Sequence, residues 1–132
     1  MQGPIMFEVT AAQADVADVT GLTVVNLSAA PNLVRVPMYM VVFSPAGDAF
    51  TVAGGARMVI RDDLNNVWFS VACPGFLDQT TAQTRVIAAS TARAMSAANV
   101  SLNLFFTGSV SKGTASPNIK FALWYEQFQL TW

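Results

Sequence analysis

Short runs of β-branched and aromatic residues, each cut off by a turn signal, set the architecture this chain can adopt. Residues 5–10 alternate, with Ile5, Phe7 and Val9 on one face and Glu8 and Thr10 on the other. Strands are expected again at 22–28, 33–43, 50–53, 57–61, 67–73, 84–89, 100–106 and 119–132. Between them stand Ala29-Ala30-Pro31-Asn32, Pro45-Ala46-Gly47-Asp48, Gly54-Gly55, Asp62-Asp63-Leu64-Asn65-Asn66 and Pro74-Gly75. Proline presets one dihedral angle and glycine accepts positive φ, so such clusters turn the chain. Pro37 lies inside the long run at 33–43 and marks an edge, a bulge or a bend there. Helix is confined to isolated turns. Thr10 and Gln13 have the spacing of a capping box for one turn through Asp15. Residues 76–82 read as another turn, and 90–98 is open between helix and loop. The segment 108–118, rich in Gly, Ser and Pro, reads as a flexible loop. The expected fold is therefore all-β, an antiparallel β-sandwich, jelly-roll-like, with one to three short helical turns.

At 132 residues the chain is expected to be a single domain, residues 1–132, with 1–9 as a first strand or an extended N-terminal arm. Hydrophobic residues make up 53% and charged residues only 11%, about half the usual share of ~25%. Disorder requires the opposite balance. Seven basic residues against eight acidic ones do not make the electrostatic footprint of a nucleic-acid binder. The stretch 94–111 is too polar for a membrane span, and the opening MQGPIM lacks the basic and apolar parts of a signal peptide.

Catalysis, metals and cofactors find little footing. The chain has no histidine and a single cysteine, so a Ser or Thr nucleophile would need Lys112 or Lys120 as its base. Cys73, between Val71, Ala72 and Pro74, reads as a small buried filler. Glu8 and Glu126 form a carboxylate pair only if the terminal strands meet. The Asp/Asn turn at 62–66 has Val67 and Cys73 where a calcium loop wants glycine and glutamate. Arg35 with Tyr39 and Lys120 with Trp124 are isolated cation–aromatic pairs. No enzyme activity, cofactor or metal is expected.

The last run, IKFALWYEQFQLTW, carries the strongest functional signal. One face holds Ile119, Phe121, Leu123 and Tyr125; the other holds Ala122, Trp124, Phe128, Leu130 and Trp132, broken by Glu126. Residues 38–43 behave the same way. A strand with one wet face alternates apolar with polar, so these runs either lie under loops or are covered by another chain. The second reading is preferred, with Trp124, Phe128, Leu130, Trp132, Met38 and Met40 as an oligomer interface.

The order of runs and turns also resembles that of small tailed-bacteriophage virion proteins. The resemblance rests on Phe7-Glu8-Val9-Thr10-Ala11-Ala12-Gln13, on the strand 23–27 with the turn Ala29-Ala30-Pro31-Asn32, and on the run 33–43. Gly75-Phe76-Leu77-Asp78, the strand 100–106, the Gly/Ser loop and the aromatic closing strand extend it over nearly the whole chain. The chain departs from the pattern at Asn32-Leu33, where those proteins often carry Gly-Lys. What the resemblance implies is a capsid cement or decoration protein, commonly trimeric, on the outer surface of the shell and in contact with the major capsid protein. Ile5, Met6 and Phe7 are then expected at the shell. The alternative is a tail or fibre module that binds a host glycan or protein through loops 109–118 and 76–84, where Phe76 with Asp78 is the one aromatic–acid pair.

Overall fold

A computed structural model describes residues 2–15, 21–27, 33–90 and 100–129. Its strands are β1 (Gln2–Val9), β2 (Leu22–Leu27), β3 (Leu33–Ser44), β4 (Thr51–Val52), β5 (Arg57–Arg61), β6 (Val67–Ala72), β7 (Gln83–Ala88), β8 (Val100–Phe106), β9 (Val110–Ser111) and β10 (Ile119–Gln129). Their pairing is antiparallel throughout. One four-stranded sheet, sheet A, has the order β1-β10-β3-β7, and the other, sheet B, has β2-β8-β5-β6. With the two-residue ribbon β4-β9 set aside, successive strands alternate between the sheets except at the β5–β6 hairpin, in the double Greek-key order of a jelly roll. The expected all-β sandwich is thus what the chain forms. Residues 2–9 are its first strand, not a free arm.

Its core lies between the sheets. Val42 and Met40 of β3 and Ile119, Phe121 and Leu123 of β10 face Met58, Ile60, Leu102, Leu104 and Phe106 of sheet B, all buried. Phe7 of β1 stacks on Phe121 with ring centroids 4.7 Å apart. Met40 is wholly buried here, which removes it from the expected oligomer interface. The reason is parity: register pairs Met40 with Leu123 and Ile87, both core-facing. Near Pro37 the ladder slips by one residue, since Tyr39 pairs with Trp124 but Pro37 with Tyr125. Met38 is the extra residue of that bulge, half-buried, and its carbonyl accepts from the Ala89 N–H at 2.7 Å.

Among the described residues helix is limited to α1 (Ala11–Ala14), opened by the capping box that the sequence announces: Thr10 accepts from the Gln13 N–H, and the Gln13 side chain accepts from the Thr10 N–H. Residues 74–78 form a turn instead of a helix. Residues 108–118 are also not a loose loop. They contain β9, and they are tied down by the Lys112 N–H donating to Asp15, the Ala115 N–H donating to Asp48, and Asn118 accepting from the Ala11 N–H. The expected turn at 29–32 and most of 90–98 lie outside the described residues.

One buried charge organises sheet B. Asp62 is 6% exposed and accepts from the Leu64 and Asn66 N–H groups, the Asn66 amide and the Trp68 indole N–H, all within 3.1 Å. These bonds close the β5–β6 hairpin, hold Asn65 at φ 63° and pin Trp68, the extra residue where the β5–β6 register slips. Burial pushes the Asp62 pKa up, but the Trp68, Asn66 and Leu64 donors outweigh it and hold the carboxyl below its ordinary value. A pKa lower in the folded than in the unfolded chain stabilises the fold fully above the unfolded value, and that contribution is lost as pH falls through the folded one. Asp62→Ala is expected to cost about 2–4 kcal/mol, because it strands the buried indole N–H. Asp62→Asn should flatten the loss of stability below about pH 4. Urea unfolding as a function of pH checks both.

Candidate interaction surface

Sheet A places alternate residues of four strands on its outer face. Register aligns Met6, Ala122, Val41 and Val86 in one row across β1, β10, β3 and β7. The next row holds Trp124, Tyr39 and Ala88, with Pro4 beside Trp124 at the β1 irregularity. Gly3 sits there at φ +118°, and a Cβ on it would lie 2.7 Å from the Leu123 carbonyl oxygen, so the edge strand hugs β10 only with glycine at this point. Beyond these rows lie Glu8, Lys120, Phe43 and Thr84 at one end, and Glu126 and Phe128 at the other.

Exposure separates this face from the rest of the protein. Met6 is 70% exposed, Val86 72%, Phe128 51% and Tyr39 43%. These are four of the five large apolar side chains that stand open among the described residues; the fifth, Leu64, tips the β5–β6 turn. Sheet B supplies the internal contrast. Its outer face is a polar lattice: Thr23 donates to Asn103 at 2.7 Å, Asn103 to Asp63 at 3.1 Å and Arg57 to Ser70 at 2.8 Å. Its aromatic, Phe105, is roofed by the Arg61 guanidinium 3.6 Å from the ring centroid. One sheet is built for water and the other presents bare hydrocarbon and aromatic surface.

Of the residues expected at an oligomer interface, Trp124 and Phe128 lie on this face, while Leu130 and Trp132 lie outside the described residues. The expected shell contacts divide. Ile5 and Phe7 pack against the core, and Met6 alone points outward among the three. The sequence reading marked 38–43 as apolar on both sides without singling out Tyr39 and Val41, and it missed Val86 and Ala88 as members of the same face. Their signal is present as parity, but using it requires knowing that β10, β3 and β7 are neighbours.

The chemical candidates resolve into structural roles. The terminal strands do pair, yet register sets Glu8 opposite Lys120. Glu126 lies six residues further along β10, about 20 Å away at ~3.4 Å per residue, too far for a catalytic carboxylate pair. Arg35 reaches toward Tyr125, 5.9 Å from its ring centroid, and its guanidinium donates to Gln127; Tyr39 points the other way. Phe76, the aromatic proposed for a sugar, is 1% exposed and covered by Arg85. Its neighbour Asp78 accepts from the Gly75 N–H and the Gln79 amide, which hold its carboxyl below the ordinary value. The described residues contain no group of three metal-ligating side chains, and no helix among them is long and apolar enough to cross a membrane.

Cys73 is fully buried, and burial pushes its thiol up to about 12. A thiol reagent at pH 8 is therefore expected to leave the native protein unlabelled and to react fully only after unfolding in denaturant. Compared with known proteins, the chain matches no family model, no curated protein and no solved structure.

Proposed function

We propose that this chain is a non-enzymatic structural module of a bacteriophage virion, a cement or decoration protein on the outer surface of the capsid. In this role it self-associates and braces the major capsid protein. The observation that carries the reading is the outer face of sheet A, where an apolar surface spans four strands of a sandwich whose other face is mainly polar. A permanent contact gains from hydrocarbon and aromatic surface and loses by desolvating charge, and this face holds few charges. Two further features favour the virion. The order of runs and turns resembles small tailed-phage virion proteins, and jelly rolls of this strand order build viral shells as well as lectins. The second point is an analogy of fold, not of site. The glycan-binding alternative draws less support, because Phe76 is buried.

Replacing Trp124 with glutamate sets a charge in the middle of the face without touching the core. Light scattering across a hundredfold dilution is expected to show an oligomer for the native chain and a 14.1 kDa monomer for Trp124→Glu. Immunogold labelling of the phage that encodes the chain is expected on the head. Label confined to the tail moves the module to the alternative reading, and virions without label overturn the proposal.

A further inference from the structure

We infer that two copies of this chain pair face to face through the outer face of sheet A, about a two-fold axis that crosses β10 at Leu123, perpendicular to the strands. The inference rests on the reading that this face is an assembly surface, and it names the partner as a second copy. About such an axis each strand stacks antiparallel on its own counterpart. Of the outward residues of β10, Lys120, Ala122, Trp124, Glu126 and Phe128, the first four form a series centred on Leu123. Read antiparallel against itself, that series sets Lys120 on Glu126 of the copy, twice, and Ala122 on Trp124, twice.

The neighbouring strands obey the same pairing. The row of Met6, Ala122, Val41 and Val86 falls opposite the copy's row of Pro4, Trp124, Tyr39 and Ala88. The first row is tall at its ends, with Met6 and Val86 the most exposed large apolar residues described, and low at Ala122. The second is tall in the middle, at Trp124 and Tyr39, and low at Pro4 and Ala88. Large side chains thus meet small ones where Trp124 falls on Ala122 and Met6 on Pro4, while Tyr39 falls on Val41. A depression of about 290 Å³ lined by Met6, Phe7, Glu8 and Lys120 lies beside the first row, between β1 and β10.

The competing axis, parallel to the strands, sets Lys120 near Phe43 and Trp124 near Tyr39, with neither charge nor size matched. A closed trimer requires two different patches on each copy, whereas this is one patch that complements itself. Four strands about 4.8 Å apart and seven residues at about 3.4 Å each span roughly 19 by 24 Å. Two such faces measure roughly 900 Å² drawn flat, close to the ~1,000 Å² of a specific interface.

A size swap tests the register. Ala122→Trp sets indole on indole and Trp124→Ala leaves a gap, so each alone is expected to weaken association at least tenfold. The double variant Ala122→Trp/Trp124→Ala exchanges ridge and trough and is expected to return the dissociation constant to within about threefold of the native one, read by light scattering with far-UV circular dichroism as the control for folding. Should the size variants misfold, Glu126→Lys is expected to weaken the pair and Lys120→Glu/Glu126→Lys to restore it. A native mass of twice 14.1 kDa with rescue by the double variant supports the pairing. A native trimer, or a dimer that no double variant rescues, overturns this inference but leaves self-association standing; a monomer at every concentration overturns both.

Discussion

Everything in sheet A depends on β10 being a central strand. A strand has two faces, and one hydrogen-bonded to neighbours on both sides has no edge left to turn toward water. Its odd-numbered residues from Ile119 to Tyr125 meet the core, so its even-numbered residues must lie on the outer surface. Once Trp124 is placed there, the antiparallel ladder forces Tyr39 alongside it, and Ala122 brings Met6, Val41 and Val86. The apolar face is therefore a direct result of register, and moving any one of these strands by one residue would empty the core to fill the surface.

Much of this was legible in the residues. The runs and turns located the strands to within a few positions, because β-branched and aromatic residues favour the pleated backbone and Pro, Gly, Asn and Asp punctuate it. Thr10 and Gln13 announced α1 because a capping box is local chemistry. The two-faced apolarity of 119–132 marked a strand with apolar residues on its outward face before any neighbour was known. What stayed hidden is what depends on distant partners. The bulge at Met38 changes parity midway along β3 and hid which methionine is buried. Val86 looks unremarkable between Arg85 and Ile87 until β3 is set beside it. Asp62 reads as a turn residue, and only the slip that brings Trp68 inward makes it the acceptor for a buried indole. The segment 108–118 has the composition of a loose loop, yet Asp15 and Asp48, far away in sequence, hold it.

The two outer faces show how one fold can divide its labour. Sheet B ties its Thr, Asn, Ser, Asp and Arg side chains to one another and covers Phe105 with a guanidinium. Sheet A keeps its charges to Glu8 and Lys120 at one end and Glu126 at the other, with hydrocarbon between. Both sheets share the same core and the same twist, so the difference is confined to side chains that folding itself does not need.

The strand order also governs when the domain can take shape during synthesis. β10 holds β1 and β3 together at the centre of sheet A, yet it follows every other described strand in the chain. Until β10 emerges from the ribosome, β1 has no partner in its own sheet and β3 shows apolar residues on both sides. The nascent chain thus carries β1 without its sheet partner until β10 follows, at about 5–20 residues per second. Sheet A closes in one late step, and that step buries the core and completes the outer face together.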